Sequence, residues 1–114
     1  MDTKIIRQKP IVIFEYNESI AIGATYSGNG IPVVGLTRIV GMIYTDKLVN
    51  LIVSQGCNNK GGILRYRNVR SYSIQPLTCE PREFKIFGKF VKIEIENISG
   101  SVAEIDSFFQ ALGI

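Results

Sequence analysis

The 114 residues contain no histidine and no tryptophan. The first absence removes the commonest general base and the commonest zinc ligand together. The second leaves tyrosine and phenylalanine as the only aromatic platforms for a sugar or a base. Cysteine is scarce: Cys57 and Cys79 stand outside any CxxC pair, which argues against zinc or dithiol redox chemistry. No apolar run reaches the roughly 20 residues that cross a bilayer. The stretch MDTKIIRQKPIVIFEY carries Asp2, three cations and Pro10. It lacks the continuous apolar segment and small-residue cleavage site of a secretory signal. On that reading the sequons at Asn17 and Asn97 are chance matches, and the thiols are free.

What remains is a chain that is 46% hydrophobic, too apolar for a disordered tail and long enough for one domain with a core. Isoleucine is much commoner than leucine, and valine, threonine and tyrosine are plentiful, a bias toward strands. A net charge of +3 is too small to demand a nucleic-acid partner. The clearest pattern is FKIFGKFVKIEIEN, residues 84–97. From Phe90 onward Val91, Ile93 and Ile95 alternate with Lys92, Glu94 and Glu96, the period of a strand with one buried face. Gly88 and Lys89 separate it from a shorter strand, Phe84 to Phe87.

Other strands are read along the chain. Ile11 to Tyr16 is an apolar run. Ser19 to Tyr26 alternates, with Asn17-Glu18 as a hairpin turn between the two and Ile20, Ile22 and Ala24 on one face. Ser27 to Gly30 is a loop. Ile31 to Leu36 is a short edge piece limited by Pro32 and Gly35. In Thr37 to Tyr44, Ile39 and Ile43 lie opposite Arg38, Val40, Met42 and Tyr44. In Leu48 to Ser54, Val49, Leu51 and Val53 share a face. Gln55 to Gly62 is read as a loop, Ile63 to Arg67 and Tyr72 to Gln75 as strands joined by residues 68–71, and Pro76 to Pro81 as a connector. The last segment, VAEIDSFFQALGI, supports two readings. As a helix it has Ser101 as N-cap, Glu104 as capping-box partner, a Val102, Ile105, Phe109, Leu112 stripe and Gly113 as its end. As a strand, Ala103, Ile105, Ser107, Phe109 and Ala111 alternate with Glu104, Asp106, Phe108 and Gln110.

Seven or more short strands without a βαβ rhythm predict an all-β, antiparallel, jelly-roll-like β-sandwich over residues 1–114. That architecture favours the strand for the final segment, with the helix as alternative. Residues 1–10, mixed in composition, are expected to form an N-terminal arm that approaches a subunit boundary in a homo-oligomer.

From Thr37 onward the segments IVGMIYTDKLVNLIVSQG, CNNKGGILRYRNVRSYSI and GKFVKIEIEN follow one another. They give an apolar strand, an acid-containing turn, a strand ending near Ser, a Gly/Asn loop, an aromatic strand and a basic alternating strand closing on Asn. This order resembles the β-sandwich domains of tailed-phage virion and related surface proteins. Lys89 and Lys92 stand where that family usually has arginine. The acid and tryptophan that usually flank the Gly loop are replaced by Asn58-Asn59-Lys60 and Tyr66, and the closing segment lacks its usual basic residue. The resemblance implies a non-enzymatic structural component of a virion, such as a decoration protein, fibre domain or coat subunit, partnered by other virion proteins.

The densest basic-aromatic patch runs from Arg65 to Tyr72. Arg65, Arg67, Arg70 and Tyr72 are the candidate partner-contact residues, because arginine and tyrosine together suit protein hot spots and stacking on sugars or bases. The plain alternative is a solvated strand face. The loops at 27–30 and 55–62 lack the GK[ST] ending of a phosphate loop. The acids show no EF-hand spacing. No catalytic, cofactor-binding or metal-ligating residues are therefore assigned. A carbohydrate-binding module and a small nucleic-acid-binding β-barrel are the alternative functions. The face assignment in residues 91–95 makes the first prediction. Ile93→Ala is expected to cost about 2–4 kcal/mol in chemical denaturation, and a loss below about 0.5 kcal/mol would place Ile93 outside the core.

Overall fold

A computed structural model gives the architecture. It describes residues 10–60, 63–65 and 68–113, with backbone alone at 58–60 and 63–65. The strands are β1 (Ile11–Tyr16), β2 (Ser19–Ile20), β3 (Thr25–Ser27), β4 (Ile31–Pro32), β5 (Arg38–Thr45), β6 (Val49–Gly56), β7 (Asn58–Lys60), β8 (Ile63–Arg65), β9 (Asn68–Ile74), β10 (Glu80–Lys85), β11 (Phe90–Asn97) and β12 (Ala103–Leu112). Two antiparallel five-stranded sheets pack face to face. One has the order β1-β12-β5-β10, with β2 beside β12; the other has β3-β11-β6-β9, with β4 beside β11. From β4 to β6 and again from β9 to β12, successive strands pass from one sheet to the other. This order is that of a jelly roll.

The lead stretch behaves as its period requires. Val91, Ile93 and Ile95 are buried, while Lys92 and Glu94 face outward and pair at 3.3 Å. Ile39, Ile43, Val49, Leu51 and Val53 join them in one core between the sheets. The final segment is a strand. Its odd-numbered residues from Ala103 to Ala111 are buried and its even-numbered ones turn outward. It lies between β1 and β5, so eight of its backbone groups are in register with β5, a pairing that a helix could not make.

Several boundaries differ from the sequence reading. Strand β1 carries a bulge between Val12 and Phe14, so Ile13 and Phe14 are both buried, which explains an apolar run without strict alternation. Asn17-Glu18 is not a hairpin turn. Strands β1 and β2 both pair with β12, and the Asn17 side chain bridges the gap by accepting from the Ser107 amide at 3.2 Å. The alternation of residues 19–26 breaks at a turn, leaving Ile20 buried and Ile22 exposed. Residues 55–60 are not a loop, because β6 continues through Gly56 and Asn58–Lys60 pairs with Ile63–Arg65. Residues 68–71 belong to β9, paired with β6. Strand β10 begins at Glu80, with Pro81 tolerated because β10 is an edge strand. Cys57 and Cys79 are both free and exposed. The arm expected at residues 1–10 falls, apart from exposed Pro10, outside the described residues.

Asn97 closes one end of the sandwich. It is buried, and its Nδ2 donates to the carbonyls of Ile20, Ala21 and Ser101 at 3.0, 3.2 and 2.8 Å. Its Oδ1 accepts from the Ser99 amide at 3.0 Å and the Ser99 hydroxyl at 2.7 Å. The Ser99 that completes the sequon is thus part of a turn, and the amide nitrogen has no exposed face for a glycan. Asn97→Asp is expected to lower stability by about 3 kcal/mol or more in urea denaturation. A carboxylate cannot donate to the carbonyls, and each buried group left unsatisfied costs about 1–3 kcal/mol. A change below about 1 kcal/mol would mean that the amide does not hold this end.

Candidate functional site

The open edge between β9 and β10 holds a cleft of about 320 Å³. Its lining comes from both sheets: Val53 and Gln55 of β6, Asn68, Arg70 and Tyr72 of β9, Glu83, Phe84 and Lys85 of β10, and Phe87 beyond it. Local sequence explains the convergence. Residues 68, 70, 72 and 74 of β9 share one face, opposite Gln55, Val53, Leu51 and Val49 in register. Ile74 at the inner end is buried, Tyr72 is half-buried and Arg70 is exposed, so this face runs from core to solvent along one strand.

Aromatic packing forms the cleft wall. The Tyr72 and Phe84 rings lie 5.1 Å apart across the two sheets. The Arg82 guanidinium sits 5.9 Å from the Tyr72 ring centroid and pairs with Glu80 at 2.6 Å. Phe87 is 59% exposed, a large apolar surface at the mouth. At the floor, buried Gln55 ties the sheets together. Its Nε2 donates to the Lys85 carbonyl at 2.8 Å, and its Oε1 accepts from the amides of Phe87 and Gly88 at 2.9 and 3.1 Å. Gly88 fits closely here, since a Cβ would stand 3.1 Å from Gln55 Cβ and from the Gly56 backbone.

Of the predicted contact residues, Arg70 and Tyr72 meet in this cleft. Arg65 is placed on β8, in register with Asn58, with only its backbone described. Arg67 lies outside the described residues. The sequence reading missed Gln55, Asn68, Glu83, Lys85 and Phe87. Gln55 carried a usable signal, a polar residue continuing the buried parity of Val49, Leu51 and Val53. The others come together only through the pairing of the two sheets.

The cleft offers the Arg70 guanidinium, the Gln55 and Asn68 amides and aromatic surface, while the side chains of Glu83 and Lys85, alternating with buried Phe84, turn toward the outer face of their sheet. Among the described residues its lining contains no aliphatic hydroxyl, thiol or imidazole. Glu83 is engaged by Arg38 at 3.2 Å on the sheet surface. Such a set can bind a polar partner. At the opposite edge the rings of Tyr16 and Tyr26 stack at 4.0 Å, and the Tyr16 hydroxyl donates to the Ser19 carbonyl at 2.6 Å. Burial, then the charge of Glu18, Tyr26 and Glu104, push the Tyr16 phenol above its usual range.

Among known proteins, no family model, no curated protein and no solved structure matches this chain. The class is therefore defined by the fold: an all-β, antiparallel, jelly-roll-like sandwich. No helix among the described residues is long and apolar enough to cross a membrane.

Gln55→Leu tests the floor of the cleft. It removes the partner of two amides and a carbonyl, so hydrogen exchange at the Phe87 and Gly88 amides is expected to rise at least tenfold while the β5 amides stay protected. Unchanged exchange at both positions would mean that Gln55 does not hold the cleft.

Proposed function

We propose that this protein is a non-enzymatic structural or decoration component of a viral particle, docking on its partner through the β9/β10 edge. The observation that carries the reading is the convergence of Arg70, Tyr72 and Phe87 at one open edge of a jelly roll. Arginine and aromatic side chains around a desolvating pocket are the commonest anchors of protein interfaces, and jelly rolls serve widely as capsid and lectin domains. The buried Gln55 tie holds the edge in place, so little ordering entropy opposes binding. The order of segments from Thr37 onward supports the virion setting.

A carbohydrate ligand is the second reading. Asn68 and Arg70 supply polar groups of the kind that contact sugar hydroxyls, beside the Tyr72 ring. Both readings use Tyr72, so one variant serves both assays. Purified protein is expected to co-sediment with particles assembled without it, and Arg70→Glu or Tyr72→Ala is expected to weaken that binding at least tenfold. A glycan array followed by titration is expected to give no micromolar binder. Micromolar sugar binding lost in Tyr72→Ala would replace the virion reading with the carbohydrate one. Retention of particle binding in both variants would overturn the docking edge.

A further inference from the structure

The end strands of a sheet carry backbone groups with no neighbour, and such an edge pairs with another chain unless something blocks it. Four strands end the two sheets here: β1 and β10 of one, β3 and β9 of the other. Three of them are blocked. Strand β1 is broken by its bulge between Val12 and Phe14. Strand β3 is three residues long, and the two residues of β4 take over beside β11. Strand β10 holds Pro81. Strand β9, by contrast, has no proline, no glycine and no bulge. Its seven residues pair with β6 without a break, and Arg70 is its one charge.

The ladders fix which groups of β9 are free. An antiparallel strand turns the N–H and C=O of alternate residues to opposite neighbours. In β11 the odd-numbered residues face β3 and β4: the Ile93 carbonyl accepts from the Gly28 amide and the Asn97 amide donates to the Ala24 carbonyl, both at 2.9 Å. The even-numbered residues of β11 therefore bond to β6, where they stand opposite even-numbered residues. That leaves the odd-numbered residues of β6 for β9, and these stand opposite Asn68, Arg70, Tyr72 and Ile74. The N–H and C=O groups of Val69, Ser71 and Ser73 thus point to the open edge. Among the described residues no backbone group bonds to them. Strand β10 differs at the same place. The Ile86 amide donates to the Thr37 carbonyl at 2.9 Å, so even-numbered residues of β10 bond to β5 and Pro81 stands at a free-edge position, where it has no N–H to offer.

We infer that β9 accepts an added strand: an extended segment of the docking partner pairs along residues 69–73 and lengthens the β3-β11-β6-β9 sheet by one strand. The inference rests on the reading of the β9/β10 edge as the docking edge and says how the partner is held there. Register then sets the chemistry of the incoming segment. Its residues opposite Arg70 and Tyr72 are two places apart and hang on the cleft side. Among the described residues Arg70 has no carboxylate in ion-pair reach, because Glu80 is taken by Arg82 and Glu83 by Arg38. An acidic side chain opposite Arg70 supplies that partner. Tyr72 packs against Phe84 and presents aromatic surface, which an apolar side chain opposite it covers. The residues opposite Val69, Ser71 and Ser73 lie on the exposed outer face, where polar side chains serve. The segment is therefore an extended strand with an acid and an apolar residue two places apart on its inner face.

The probe is a peptide selected on the immobilised full chain from a random library about 12 residues long. Selected peptides are expected to show the acid and apolar pair and to bind with a micromolar dissociation constant. Amide hydrogen exchange of the full chain then reads the edge. Without peptide, Val69, Ser71 and Ser73 are expected to exchange at least tenfold faster than Arg70 and Tyr72, and with peptide to slow at least tenfold. Ser71→Pro removes one free N–H and no cleft side chain, at an edge position of the kind Pro81 already occupies in β10. It is expected to weaken the peptide at least tenfold while Arg70 and Tyr72 keep their slow exchange. Should Ser71→Pro fail to fold, the exchange pattern of the unaltered chain decides alone. The inference falls if no peptide binds below about 100 μM, if the three edge amides gain no protection, or if a folded Ser71→Pro binds peptide unchanged. Sedimentation velocity showing a dimer that Ser71→Pro dissolves would assign the edge to a second copy and also overturn it. Particle binding separates this inference from the docking reading. Binding lost in Arg70→Glu but kept in Ser71→Pro would exclude strand addition and leave the docking edge standing. Binding kept in Arg70→Glu and Tyr72→Ala would remove the docking edge, and the peptide and exchange results would then decide strand addition by themselves.

Discussion

The interior is organised by one close contact, the Phe109 ring over Gly41. The two residues face each other in register across β12 and β5, on the core side of the sheet. A Cβ at Gly41 would overlap the Phe108 carbonyl oxygen and lie 2.6 Å from Phe109 Cδ1, so no larger residue fits beneath the ring. Phe14 and Phe84, from the strands flanking this pair, lean on Phe109 at centroid distances of 6.4 and 6.2 Å. Tyr26 and Tyr72, from the opposite sheet, then pack on Phe14 at 5.8 Å and on Phe84 at 5.1 Å. The rings form a continuous row from the β1/β3 edge to the β9/β10 edge. The cleft wall is the last pair of that row, so its position follows from the packing on Gly41.

Two buried amides complement this apolar row. Gln55 ties the sheets at one end of β11, beside Val91, and Asn97 holds the other end from within β11 itself. Each satisfies its hydrogen bonds against backbone groups at strand ends and in turns, which an apolar side chain could not do. Their effect is to fix the loops, since the strands are already held by the ladders and by the core. This division matters for binding. The residues at the cleft mouth, Arg70 and Phe87, are exposed on a frame whose floor is pinned, the arrangement in which surface side chains bind with small ordering cost.

Much of the fold was legible because its strands are half-buried. The alternation in residues 90–97 placed Val91, Ile93 and Ile95 in the core, and the same period assigned Ile39, Ile43, Val49, Leu51 and Val53. Period fails where a bulge adds a residue, as at Ile13, or where an edge strand carries few buried side chains. In β9 only Ile74 is buried, and Asn68 to Ser71 read as a connector. The final segment shows the limit of local signals. A capping box and a helical stripe are both present in its sequence, yet the free slot between β1 and β5 pairs its backbone on both sides, and that outweighs the cap.

By itself, then, the sequence determined the strand faces in residues 38–53 and 90–97, the two unpaired thiols and the pairing of arginine with tyrosine near residue 70. These are local facts, set by a period of two and by side-chain chemistry. The tertiary structure decided which strands become neighbours. It brought Phe84 and Phe87 to Arg70 and Tyr72, and it set Met42 beside Phe108. No local pattern could specify those neighbours, because they belong to strands far apart in the chain and meet only through sheet order and register.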